Sequence, residues 1–193
     1  MPYVIRQARP EDAAEIAHVH VATWKTTYAG IIPDPYLAAM DEETHAARWH
    51  EQLSTGPALI FVAESVAETE AGGTGIAGVI GFACAGDARQ SQPGYDAELY
   101  TFYVLRQFQR MGVGRALFLA VACGLQAKGY TAVILWALEA NPCLPFYERL
   151  GGLRITRQTI EIGGANLQDI AFGWPDLNIF LELHPPESKP DVR

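Results

Sequence analysis

Apolar and polar positions alternate over residues 3–8, the period of a half-buried strand. Pro10, Glu11 and Asp12 then open a helix, with the acids at its positive end and Gly30 as its stop. Ile16, Val19, His20, Thr23, Trp24 and Thr27 share one face of that helix. A loop over 31–34 leads to short helical segments, the last spanning 42–53 behind Asp41 as its cap. Strands are predicted over 58–64 and 76–85, and the glycine-rich stretch 71–75 between them favours a hairpin. Residues 87–96 read as a polar loop and 97–104 as a fourth strand.

The pattern then changes to helix, strand and helix. Leu117, Ala120, Val121, Gly124 and Leu125 mark one face of a helix ending at Gly129. Residues 133–138 are continuously apolar, as in a central parallel strand covered on both faces. Asn141 as N-cap and Pro142 at the first position start a short helix through Tyr147, stopped by Gly151 and Gly152. Residues 155–162 and 168–172 form a hairpin about Gly163 and Gly164. The stretch 184–193 holds three prolines and is expected to fray. The chain thus reads as one α/β domain over 1–183 followed by a disordered tail.

With 49% hydrophobic and 19% charged residues in 193, the chain can build a packed core. Its net charge of −8 argues against duplex nucleic acid, which needs a basic footprint. Neither a run of about 18 apolar residues nor a signal-peptide pattern is visible, so a cytoplasmic protein without membrane partners is expected. Three scattered cysteines suggest no disulfide framework, and His18, His20, His45 and His50 lack metal-ligand spacing, so no metal is expected.

Chemistry concentrates after the fourth strand. Gln109, Arg110, Met111, Gly112, Val113, Gly114 and Arg115 form a glycine-rich turn opening a helix, with Arg106 nearby. Two glycines allow close backbone approach, and free N–H groups of a first helical turn attract an anion, most naturally a pyrophosphate. A dinucleotide fingerprint would want glycine or alanine where Leu117 stands, and a P-loop would need Gly-Lys-Ser/Thr.

The spacing Gln109, Gly112, Gly114 after a strand resembles the acyl-CoA-dependent GNAT N-acetyltransferases. A second stretch is similar to theirs in the same order: strand, Asn141, then Phe146, Tyr147 and Gly151. The resemblance implies a mixed, twisted sheet of about six or seven strands flanked by helices, with parallel strands four and five splaying apart. It implies acetyl-CoA as co-substrate, its pantetheine lying along Tyr103, Val104 and Leu105 and touching Asn141. The pyrophosphate would rest on the N–H groups from Arg110 to Arg115. Acyl transfer to a small-molecule or peptide amine would then be direct, without metal, and a homodimer would be compatible with the family.

Direct transfer needs a neutral amine, an oxyanion donor and an acid for the departing thiolate. The resemblance offers Glu98 as base, the Val104 N–H as oxyanion donor and Tyr147 as acid. Simple alternation along the fourth strand would put Glu98, Tyr100 and Phe102 on one face, where two aromatics could hold a desolvated amine beside the carboxylate. Transfer of a longer acyl chain, and an acyl-CoA-binding sensor that has lost catalysis, are the rival readings.

Overall fold

The computed structural model describes residues 2–68 and 74–185. Its strands are β1 (Tyr3–Gln7), β2 (Leu59–Glu68), β3 (Thr74–Gln92), β4 (Tyr95–Val104), β5 (Val133–Leu138), β6 (Leu153–Ile162) and β7 (Ala165–Trp174). They form one sheet in the order β1-β2-β3-β4-β5-β7-β6. The β4–β5 pair is parallel, and the other neighbours run antiparallel. The helices are α1 (Ala13–Thr27), α2 (Asp34–Ala38), α3 (Glu42–Thr55), α4 (Val113–Ala127), α5 (Leu144–Arg149) and α6 (Leu177–Leu183).

Two apolar layers sandwich the sheet. Ile16, Ala17 and Val19 of α1 and Trp49 of α3 pack on Val62, Phe82 and Cys84 from one side. From the other, Leu117, Val121 and Leu125 of α4 pack on Ala83, Leu99 and Leu135. The continuous apolar run of β5 is explained by this double covering. Helix α6, which the sequence reading passed over, is capped by Asp176, whose carboxylate accepts from Asn178 N and Ile179 N. Its Phe180 meets Phe118 of α4 edge-on at 5.1 Å. The predicted glycine turn at 71–75 falls mostly on residues 69–73, outside the described residues, as does most of the expected tail.

Three expectations need correction, and each correction shapes the site. Residues 87–96 are not a loop: β3 and β4 continue into a hairpin that turns at Pro93 and Gly94, the latter at φ 86°. Tyr100 Oη donates to the Asp87 carbonyl at 2.6 Å, holding the two strands together beyond the regular ladder.

The second correction concerns alternation. Cys84 faces Thr101 while Ala85 faces Leu99, so Tyr100 is an extra residue in a β-bulge. After the bulge every side chain changes face. Glu98 keeps Tyr100 on its side, but Tyr103 takes the place expected for Phe102, which packs with Leu99 toward α4. The β4–β5 ladder also stops at Leu99 and Leu135, so the strands separate just where the bulge bends β4.

The third concerns α5, which begins at Leu144 and not at Pro142. In a helix started at Pro142, residue 145 would be the first to donate to the cap carbonyl, and Pro145 has no N–H to give. Placed in the first turn, the same proline costs nothing. Asn141 still caps locally, its Oδ1 accepting from Cys143 N at 2.8 Å.

Candidate active site

Where β4 and β5 part, a cleft of about 350 Å³ runs through the sheet. Phe102, Val104 and the turn 109–115 line it on the α4 side, with Phe146 and Tyr147 of α5 beside them. Thr23 and Thr27 of α1 and Tyr28, the residue that follows it, line the opposite side, with Tyr103.

At the end of β4, Leu105 N donates to Ile80 O at 2.9 Å and is therefore committed to β3. Antiparallel alternation turns the N–H groups of Phe102 and Val104 the other way, into the cleft. The Val104 carbonyl is held by Gln109 Nε2 at 3.0 Å. Gln109 thus clamps the turn to the strand, a role that its motif position alone does not disclose.

The turn itself bends through two left-handed residues, Arg110 at φ 62° and Gly112 at φ 84°. For Arg110 this is a rarely populated conformation, of the kind that persists where a functional geometry over-determines it. Ala116 N makes the first helical bond, to Gly112 O at 3.0 Å. The N–H groups from Gly112 to Arg115 are left without intrahelical acceptors, at the positive end of a 15-residue helix. Arg110 and Arg115 line the cleft at the same place. Any Cβ on Gly114 would meet Phe146 Cζ at 3.1 Å, so α4 and α5 approach here as closely as glycine permits. An anion with an extended tail fits: anion on the turn, tail in the gap between the strands. Met111 is half exposed and Val113 buried, so these two contribute backbone rather than side chain.

Tyr147 is 6% exposed, among Phe102, Phe146 and Phe172. Burial holds its phenol pKa well above the ordinary value, so the hydroxyl stays protonated. No hydrogen-bond acceptor takes that proton among the described residues. Asn141, by contrast, has both ends of its amide engaged: besides capping, its Nδ2 donates to Tyr28 Oη at 3.3 Å. It pins the end of α1 to the start of α5, linking the two sides of the cleft.

Glu98 does not belong to this assembly. It is 2% exposed and lies outside the cleft lining. Its Oε2 accepts from Arg89 N at 3.0 Å and its Oε1 from the Arg89 guanidinium, which raises the Arg89 pKa. The geometry makes Glu98 the anchor of the β3–β4 hairpin. Glu98→Gln is expected to leave the acidic limb of the activity profile unchanged while lowering stability. A loss on the order of 1–2 kcal/mol is expected, because Arg89 is mostly exposed and water screens the pair. Thermal melts and a pH–rate profile of the variant check both halves.

Asp169 of β7 is a buried acid that the sequence reading did not single out. Burial raises its pKa from 3.8 to about 6, opposed by the Gln158 side chain on the neighbouring strand. A folded-state pKa above the unfolded one favours the protonated acid. Its contribution to stability is full below pH about 4 and is lost as pH rises through about 6, with a ceiling of about 3 kcal/mol. Asp169→Asn should therefore raise the melting temperature at pH 8 and leave it unchanged at pH 4. Equal effects at both pH values would contradict this account.

Among the described residues no group of three or more His, Cys, Asp or Glu is placed to hold a metal ion, and no helix is long and apolar enough to cross a membrane. Residues 87–160, which carry the hairpin, cleft and turn, match the family model of FR47-like proteins. An uncharacterized N-acetyltransferase from Bacillus subtilis, YuaI, is 38% identical over 93% of this chain and 96% of its own length. A structure from Desulfovibrio desulfuricans assigned to the GNAT acetyltransferase family superposes with a TM-score of 0.64 at 20% identity, covering 91% of this chain and 99% of that one. YncA from Salmonella typhimurium, solved with its cofactor acetyl-CoA, gives a TM-score of 0.63 at 18% identity over 100% of both chains. The structural likenesses establish the fold. Together with the sequence relationship over nearly the whole length, they show that this chain belongs to the GNAT superfamily of N-acetyltransferases and is an acyltransferase.

Proposed function

We propose that this protein transfers the acetyl group of acetyl-CoA directly to a primary amine of a small molecule or peptide, using the domain 1–183. The observation that carries the reading is a convergence. The gap between β4 and β5, the free N–H groups at the start of α4 and the unpartnered Tyr147 phenol all border one cleft. The co-substrate supplies the activated thioester, and the chain's residues do the rest.

The N–H groups of Gly112 to Arg115, with Arg110 and Arg115, bind the pyrophosphate. Gly114 and Phe146 narrow the passage for the pantetheine arm, along which Phe102 and Val104 offer backbone hydrogen bonds. The Val104 N–H, fixed by the clamp of Gln109 on its carbonyl, stabilises the developing oxyanion without reorganising. Tyr147 gives its proton to the departing thiolate, and the proton that the amine nitrogen sheds on becoming an amide returns to the Tyr147 oxygen through water. Asn141 positions Tyr28 and α5, and the second proton of its Nδ2 is left for the pantetheine.

YncA, 18% identical, was solved with acetyl-CoA, which supports the same co-substrate here. A protonated, unpartnered phenol in the cleft favours an enzyme over a non-catalytic acyl-CoA sensor. The deciding experiment incubates the protein with acetyl-CoA and a panel of amines, following free thiol release and amine mass together. Acetylated amine in step with thiol supports the reading. Thiol release without acetylated product, or tight binding without release, overturns it.

A further inference from the structure

We propose that the α1 side of the cleft takes a weakly basic primary amine, such as the α-amino group of a peptide or amino-acid amide or an arylamine, which enters already neutral and is held by hydroxyl groups. This rests on the acetyl-transfer reading above and specifies its acceptor. The observation behind it is the lining of that side. Thr23 Oγ1 is buried, on a residue 5% exposed, and has no hydrogen-bond partner. Thr27, Tyr28 and Tyr103 surround the same space. Tyr28 Oη accepts from Asn141, and no acceptor takes its own proton among the described residues. Orphaned buried hydroxyls are uncommon, and one at the wall of a cleft is satisfied most simply by a ligand's N–H or carbonyl.

Charge points the same way. The charged side chains that line the cleft are Arg110, Arg115 and Arg149, all cations. Just past α1, Tyr28 is held protonated by burial, and on β4 Tyr100 and Tyr103 are each pushed up to about 12 by burial. Tyr147 and the Cys143 thiol, also raised by burial, complete the titratable lining. His20 lies one layer behind, stacked on Tyr103 at 5.1 Å and brought down to about 4 by burial, so it is neutral. Glu98 is tied to Arg89, and Asp169 is buried beside the end of β5. With Arg110 and Arg115 taken up by the pyrophosphate, an ammonium entering here would find no carboxylate to pair with among the described lining residues.

Such a site selects on the neutral fraction of the acceptor. At pH 7 an alkyl amine with pKa near 10.4 is neutral in about one part in 2,500, and an α-amine near 7.8 in about one part in seven. A site without a counter-charge or base feels that difference in full.

The test measures kcat/KM from pH 5.5 to 9.5 with saturating acetyl-CoA and three acceptors: an amino-acid amide, an arylamine and a simple alkyl amine. The acidic limb is expected to follow each acceptor's own pKa, and at pH 7 the amide should outpace the alkyl amine by about 100-fold or more. A limb fixed at one pH for all acceptors would overturn the proposal by revealing an enzyme base, Asp169 if the limb lies near 6. Preference for the alkyl amine at pH 7 would overturn it equally. In parallel, Thr23→Val keeps the shape and should raise the amine KM about 10-fold, with the acetyl-CoA KM and the melting temperature unchanged; an unaltered amine KM would remove Thr23 from the site. Acetyl-CoA binding without acetylation of any of the three would instead defeat the underlying acetyl-transfer reading.

Discussion

Replacing Gly112 by valine is expected to weaken coenzyme A binding by about 100-fold, equivalent to about 2.7 kcal/mol. Gly112 sits at φ 84°, a conformation that a β-branched residue avoids. Valine would drive the turn toward negative φ and swing the N–H groups of Gly112 and Val113 off the pyrophosphate. Hydrogen bonds to a charged acceptor contribute about 1.5–3 kcal/mol each, so loss of one or two accounts for the expected factor. A Cβ at this position would also stand 3.2 Å from Tyr3 Oη. Some loss of stability therefore accompanies the change, about 1–2 kcal/mol, short of unfolding a domain of this size. Calorimetric titration, with a melt of the free variant as control, reads both quantities. A folded variant with unchanged affinity would remove the turn from the cofactor site.

Tyr147→Phe should lower kcat by about 10- to 1,000-fold while acetyl-CoA affinity stays within about threefold. Phenylalanine preserves the ring among Phe102, Phe146 and Phe172, so the packing of α5 survives and the proton donor alone is lost. Burial keeps the phenol protonated across the neutral range, so the proton is in place when the thiolate departs. Pre-steady-state measurements establish whether chemistry limits turnover. Near-normal kcat with chemistry limiting would return Tyr147 to the aromatic core and leave protonation of the thiolate to water.

Much of the site was legible because its signals are local. A strand followed by Gln109, Gly112 and Gly114 announces a tight turn and a helix N-terminus, and the structure has both. The apolar run 133–138 coincides with β5 residue for residue. The functional details that escaped are non-local. The bulge at Tyr100 depends on how β3 pairs with β4, and it moved Phe102 to the face opposite Glu98. The polar composition of 87–96 concealed a hairpin because its stability comes from Glu98, a buried acid several residues further on. Asn141 contacts Tyr28 across 113 residues of chain, a distance over which no periodicity carries information. The buried acid Asp169 gave no sign either, since its strand neighbours decide whether it meets water or protein.

In the proposed function acyl-CoA lies in the cleft between the splayed strands, its pyrophosphate on the start of α4. An amide chemical-shift titration of isotope-labelled protein with coenzyme A tests that claim most directly. The largest changes are predicted at Gly112, Val113, Gly114 and Arg115 and at Phe102 and Val104, saturating together with one dissociation constant, while the hairpin amides of Arg89 and Glu98 stay in place. Saturable binding whose shifts spare the 112–115 turn and the end of β4, or no binding at millimolar coenzyme A, would contradict it.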